Sequence, residues 1–369
     1  MNKYTTLVNG IKMPVLNFGT GALRNVKMSV VNAIKCGLRA IDTAQSYNNE
    51  EEVGKAIKYC IDNNIVKRED LFIVVKLNAH KPVSFEIAKN SFFDSLKKLN
   101  IDYADQYLIH APNFTPKDKW KKINADVWKA FEELYNDNFV KSIGVSNFNI
   151  LHIEELLKTA KITPMINQID LNPRWQQREL VAYCQKKNIT ISAAYSLIYG
   201  QEMNNLILKD IAEKYNKTVP NILLKWSCQK GYLPIFRSSN IEHLKENINI
   251  CDFEISNDDM MKIDTLNSHP TGCGGTTPES WYQYYTVLEQ LYTVNDKLVY
   301  KLFGVVKFFK YQRVNDNTYK LYFCGIPILT KKIKINGYSL KLFSFIKIFD
   351  VIVRRKQAKQ FLPKYEDKK

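Results

Sequence analysis

Four side chains in the first third of the chain are of the types that move protons to and from oxygen. Two of them share the stretch Gly37-Leu38-Arg39-Ala40-Ile41-Asp42-Thr43-Ala44-Gln45-Ser46-Tyr47-Asn48-Asn49-Glu50, which reads as a strand end, a tight loop and a helix start. Asp42 closes the strand and Tyr47 sits in the loop. An ordinary phenol, with a pKa near 10, is a poor acid at neutral pH. A cation beside it favours the phenolate and brings that pKa down. Lys76 supplies a cation at the end of the β-branched run Leu71-Phe72-Ile73-Val74-Val75-Lys76. The next run, Tyr107-Leu108-Ile109-His110, ends in a histidine. Three successive strands thus each end in a titratable group. Taken singly, Asp42 and Lys76 also fit a structural ion pair, and His110 a satisfied core histidine.

Such groups need a scaffold that brings strand ends together. A hairpin is expected where Tyr4–Val8 and Ile11–Val15 flank Asn9-Gly10. Strand-like and helix-like stretches then alternate. The strands are expected at Val15–Thr20, Ala40–Asp42, Leu71–Leu77, Gln106–His110, Lys141–Ser146, Met165–Asp170, Thr190–Tyr195 and Tyr232–Phe236. Helices fall between them, among them Val26–Cys36, Glu50–Asn63, Phe85–Leu99, Lys122–Asn136 and Val219–Lys230. Eight core strands with intervening helices predict an α/β fold of the (β/α)8 (TIM) barrel type, which carries its chemistry at the carboxyl ends of its strands. Gly19-Thr20-Gly21-Ala22-Leu23-Arg24 begins like a dinucleotide fingerprint but lacks the last glycine, which argues against a doubly wound nucleotide fold.

Ile41-Asp42-Thr43-Ala44 with Tyr47-Asn48-Asn49-Glu50, then Lys76, then Ile109-His110, resembles the aldo-keto reductase family over roughly the first 265 residues. The resemblance implies a proton relay for NADPH-dependent reduction of an aldehyde or ketone. Tyr47 is the general acid, Lys76, held by Asp42, lowers its pKa, and His110 hydrogen-bonds the substrate oxygen. It further implies a cofactor site. Ser146, Asn147 and Gln168 match the groups that hold the nicotinamide carboxamide, and Tyr195 matches the ring stacked beneath it. Gly19, Thr20, Asp42, Ser196 and Leu197 are further expected cofactor contacts. Phe236-Arg237-Ser238-Ser239-Asn240-Ile241-Glu242-His243-Leu244-Lys245-Glu246-Asn247 resembles the loop that takes the cofactor phosphate, with Arg237, Ser238, Ser239, His243, Glu246 and Asn247 as contacts. Ser146 and Asn147 equally suit the cap of a following helix. Arg237 stands where the family usually has lysine, and His243 where it has arginine, so NADH is the second cofactor to test.

Two further departures concern the substrate. Gly21 and Ala111 stand where many relatives carry aromatics, which widens the expected pocket around Tyr47, His110 and Ala111 toward a polar carbonyl such as a sugar or nucleotide-linked sugar. No metal site is expected, because the seven cysteines lack metal-ligand spacing.

Charge separates the chain into parts. The net charge is +16, yet residues from Trp281 onward hold 18 Lys and Arg against 6 Asp and Glu. Tyr300, Tyr319 and Tyr338 begin three similar copies at a period of 19 residues, each reading as two short strands around a bend. The expected division is a barrel over 1–275, an aromatic linker or helix over 276–298 (Trp281–Asn295 within it), β-hairpin repeats over 299–353 and a fraying basic tail over 354–369. The copies weakly resemble short repeats of bacterial surface-polysaccharide enzymes. Their basic and aromatic character suits self-association or contact with a polyanion or membrane surface. The chain has no run of 18 apolar residues and no signal-like start, so a cytoplasmic protein is expected. The other reading is a catalytically idle cofactor-binding sensor whose basic tail engages a membrane, glycan or polyanion.

Overall fold

The computed structural model describes residues 3–78, 83–113, 119–268 and six strands between 297 and 351. It divides into two units, Met1–Pro278 and Glu279–Lys369. The first unit opens with an antiparallel hairpin, β1 (Tyr4–Thr6) and β2 (Lys12–Pro14). Leu7, Met13 and Val15 of this hairpin form one buried cluster with Ala40, Phe72, Ile166 and Leu233, which begin or lie near the starts of barrel strands. The hairpin therefore plugs the amino end of the barrel and leaves the carboxyl end for chemistry.

Eight parallel strands close on themselves: β3 (Asn17–Gly19), β4 (Ala40–Asp42), β5 (Phe72–Leu77), β6 (Gln106–Ile109), β7 (Ile143–Ser146), β8 (Ile166–Asp170), β9 (Thr190–Ala194) and β10 (Leu233–Phe236). β10 pairs back onto β3 through Ile235 with Asn17 and Phe236 with Phe18. Around them run α1 (Val26–Lys35), α2 (Glu50–Asp62), α3 (Phe85–Leu99), α4 (Lys119–Asn136), α5 (Ile150–Leu157), α6 (Arg178–Lys186), α7 (Leu206–Lys214) and α8 (Val219–Gln229). α9 (Ile241–Ile248) and α10 (Asn257–Asp264) follow β10. Each strand is buried on both faces, as the near-continuous apolar runs require. Gly144 has a specific reason to be glycine. A Cβ there would lie 2.4 Å from the Ile166 side chain and 2.7 Å from its carbonyl oxygen, so β7 and β8 approach only because none is present.

Helix starts follow local chemistry. Asn25, Ser84, Asn149, Asn205, Thr218 and Ser256 each accept a hydrogen bond from the third helical amide of the helix they precede. Among the described residues no helix is long and apolar enough to cross a membrane.

In the second unit, β11 (Lys297–Leu302), β12 (Val306–Asn315), β13 (Thr318–Phe323), β14 (Ile326–Lys334), β15 (Gly337–Leu342) and β16 (Ile346–Val351) form an antiparallel sheet in sequence order. Paired positions share a face of a sheet. One row across it runs Leu298, Tyr311, Leu321, Leu329, Leu342, Ile346. The neighbouring row runs Lys297, Gln312, Lys320, Thr330, Lys341, Lys347. The helix expected at Trp281–Asn295 and the tail 354–369 lie outside the described residues.

Candidate active site

Register delivers the expected groups to one end of the barrel. Gly19 pairs with Asp42, Asp42 with Val74, and Lys76 with Leu108, so Asp42 and Lys76 rise from adjacent strands. Both are buried, and the Lys76 ammonium donates directly to Asp42 Oδ1. It also donates to the Thr43 carbonyl at 3.3 Å and reaches the Tyr47 hydroxyl at 3.5 Å. The second Asp42 oxygen accepts from Gln168 Nε2 at 2.8 Å. A buried carboxylate with both oxygens engaged is a fixed anion, and it fixes the lysine in turn. The strand end itself is tied down, since Thr20 gives both its backbone N–H (2.9 Å) and its hydroxyl (3.1 Å) to the Asp42 carbonyl.

Tyr47 closes a single 3-10 turn, Gln45–Tyr47, between β4 and α2. His110 follows β6, and its ring meets that of Tyr47 edge to face, 5.5 Å between centroids at 81°. Asp42, Lys76, Tyr47 and His110 therefore converge. Gly21, in the loop after β3, lies on the phenol ring. A Cβ at Gly21 would stand 3.3 Å from Tyr47 Cζ.

Electrostatics correct one expectation. Burial holds the Tyr47 phenol well above its ordinary pKa, Asp42 and Asp170 push the same way, and Arg237 opposes them. The nearby Lys76 ammonium favours the phenolate, but burial and the two carboxylates outweigh it. Burial lowers the Lys76 ammonium, against the pull of Asp42. Tyr47 is thus held in its protonated form.

Beside this group lie amide and hydroxyl side chains. Ser146 Oγ donates to the Gln168 carbonyl at 2.9 Å, and Asn147 Nδ2 donates to the His110 carbonyl at 2.9 Å and to Ser146 Oγ at 3.2 Å. Neither Ser146 nor Asn147 caps α5; Asn149 does. Tyr195 adopts a left-handed φ of 54° and presents a ring 38% exposed, packed against Tyr199 at 4.5 Å. Ser196 is buried with its hydroxyl given to the Ala193 carbonyl at 2.7 Å, and Leu197 packs half-buried on the core. Arg237, after β10, reaches across to donate to the Gly21 carbonyl, with its guanidinium 5.5 Å from the Tyr199 ring centre. Ser238 and Asn240 bond each other ahead of α9, which Asn240 caps. Ser239, His243 and Glu246 are exposed, whereas Asn247 is buried and its Oδ1 has no partner among the described residues.

The family model for the aldo/keto reductase family matches residues 18–268. The chain belongs to that family. A glyoxal reductase of Bacillus subtilis is 44% identical over 264 residues, 71% of this chain and 91% of that protein. An uncharacterized oxidoreductase of the same organism, YtbE, is 43% identical over 270 residues, 72% of this chain and 92% of its own. The crystal structure of a Bombyx mori aldo-keto reductase in complex with NADP superposes with a TM-score of 0.66 at 34% identity, covering 72% of this chain and 92% of that one. An aldo/keto reductase from Brucella melitensis gives 0.65 at 38% identity, covering 72% and 99%. As an aldo-keto reductase, the chain is an NAD(P)H-dependent oxidoreductase acting on carbonyl groups.

The residues present fit a nicotinamide dinucleotide. Amides and a hydroxyl that both donate and accept suit a carboxamide, an exposed ring suits stacking, and a guanidinium beside a capped helix start suits phosphate. The unpartnered Asn247 acceptor fits a donor such as an amine. Two features lay beyond sequence reasoning, the Ser46 and Gln45 side chains, which hold His110 and the catalytic turn. Their only signal was position beside Tyr47. Ala111, expected beside the substrate, is fully buried.

Proposed function

We propose that this aldo-keto reductase uses NADPH to reduce a polar aldehyde or ketone, with Tyr47 as the proton donor. The observation that carries the reading is the Lys76 ammonium 3.5 Å from the Tyr47 hydroxyl, itself anchored on Asp42, with the His110 ring alongside. When bound, the reduced nicotinamide supplies the hydride. Tyr47 gives its phenolic proton to the carbonyl oxygen, and the phenolate left behind is stabilised by Lys76. Asp42 and Gln168 keep the lysine from swinging away. His110 hydrogen-bonds the same oxygen and fixes its approach.

Ser146, Asn147 and Gln168 hold the carboxamide, with Tyr195 as the platform beneath the ring. Arg237, Ser238, Ser239 and His243 take the 2′-phosphate, and Glu246 and Asn247 the adenine. Arg237 is the charge that favours NADPH over NADH. The ratio of kcat/KM for the two cofactors tests this, and at least tenfold better use of NADH refutes it.

The polar-carbonyl reading is supported by the glyoxal reductase relative and by Gly21, which leaves the face of Tyr47 without an apolar side chain. A substrate panel of short dicarbonyls, aldehydo- and keto-sugars and aromatic aldehydes checks it. The polar compounds should lead; a lead for aromatic aldehydes ends the proposal.

For the second unit we propose contact with a polyanion, supported by the sheet row that holds Lys297, Lys320, Lys341 and Lys347. The full chain should elute from a heparin column at higher salt than its Lys320→Glu, Lys341→Glu variant. Equal elution refutes the contact.

A further inference from the structure

Gln45, Ser46 and Tyr47 form one 3-10 turn, and each side chain has a different partner. Gln45 fastens the turn to its surroundings. Its Nε2 donates to the Ser91 carbonyl at 2.7 Å and to Ser95 Oγ at 3.1 Å, both on α3. Its Oε1 accepts the backbone N–H of Asn78, two residues beyond Lys76, at 2.9 Å. The turn is thereby locked to the strand that carries the lysine.

Ser46, held on that fixed turn, places its hydroxyl oxygen 3.2 Å from His110 Nδ1. The histidine backbone is pinned too, since its N–H donates to the Leu77 carbonyl at 3.2 Å and its carbonyl accepts from Asn147 at 2.9 Å. The Ser46 hydroxyl at Nδ1 and the Tyr47 ring edge-on at 5.5 Å both bear on the orientation of the ring. A neutral imidazole carries one N–H and one bare nitrogen, and the hydrogen bond at one nitrogen decides the other. A carbonyl at Nδ1 would demand a proton there and leave Nε2 bare. A hydroxyl can instead donate, which puts the proton on Nε2.

We propose that Ser46 donates its hydroxyl proton to His110 Nδ1 and so fixes the tautomer in which Nε2 bears the hydrogen. Ser46 is then a positioning residue, acting through His110 and touching no substrate. Its consequence for turnover rests on the proposed role of His110 as a donor to the carbonyl oxygen. A bare Nε2 would instead set a lone pair against that oxygen.

The test is 15N NMR of the full-length protein labelled at histidine, at a pH where the imidazoles are neutral, with His110 assigned by its loss in His110→Gln. Wild type should show a bare Nδ1 and a protonated Nε2. Ser46→Ala should show mixed tautomers and a roughly tenfold lower kcat for glyoxal reduction, the size expected for one lost hydrogen bond, with KM for NADPH unchanged. Ser46→Thr, which keeps a hydroxyl, should restore both. A proton on Nδ1 in wild type overturns the inference, as does Ser46→Ala with wild-type tautomer and kcat. Full turnover in His110→Gln would sink the role of His110 instead, while leaving the tautomer assignment standing.

Discussion

Lys76 Nζ stands 3.5 Å from the phenolic oxygen of Tyr47 and at the same time touches the Asp42 carboxylate. The lysine is thus an anchored cation beside the phenol oxygen, within reach of any negative charge that forms there. Burial and Asp42 keep the phenol protonated. A protonated phenol beside an ammonium suits the proton donor proposed above.

The pH dependence follows with a definite sign. A phenol whose pKa is raised stays in its acid form through neutral pH, so reduction should be flat there and fall only above the ordinary phenol range near 10. Oxidation of the alcohol needs the phenolate and should climb with pH over the same span. Rate profiles in both directions check this; a reduction rate that already falls between pH 6 and 8 contradicts it.

The buried ion pair predicts a pattern in stability. Lys76→Met leaves Asp42 buried without its counter-charge and should cost about 3–5 kcal/mol in urea unfolding. Asp42→Asn strands the lysine and should cost a similar amount. The double variant should recover much of the loss, because neither charge remains, while staying inactive. Additive losses would show that the two side chains are not coupled.

Gly21→Ala probes the phenol directly. The added methyl would sit 3.3 Å from Tyr47 Cζ, so the ring must yield by a few tenths of an ångström. Misplacement on that scale should lower kcat roughly threefold to tenfold, with KM for NADPH unchanged. Wild-type kcat would mean the ring is free to adjust.

Arg237→Met should raise KM for NADPH by about ten- to a hundredfold, the worth of one charged hydrogen bond, and leave NADH nearly unaffected. The variant also loses the contact with the Gly21 carbonyl. Steady-state kinetics with both cofactors read the result, and equal losses for the two would remove Arg237 from the phosphate site.

The barrel was legible because alternating apolar runs and helical stretches carry their own period. Asp42, Lys76 and His110 stood out because each ends such a run. α9 and α10 were not, since α9 lies within a stretch whose motif resembled a binding loop. Ser46 and Gln45 escaped notice for a physical reason. Their partners, His110 and residues on α3, are 46 to 64 positions away, and only the closed barrel brings them near. The net rise of the Tyr47 pKa was not legible, because the extent of burial that causes it is a property of the fold.

Tyr47→Phe tests the central claim most directly, since it removes the hydroxyl and keeps the ring against Gly21 and His110. Two readings are taken on the same sample, NADPH oxidation with glyoxal and NADPH binding by fluorescence titration. Turnover should fall at least a hundredfold, in line with the loss of a general acid, with the dissociation constant for NADPH unchanged. Turnover within a few-fold of wild type would mean that the proton comes from elsewhere.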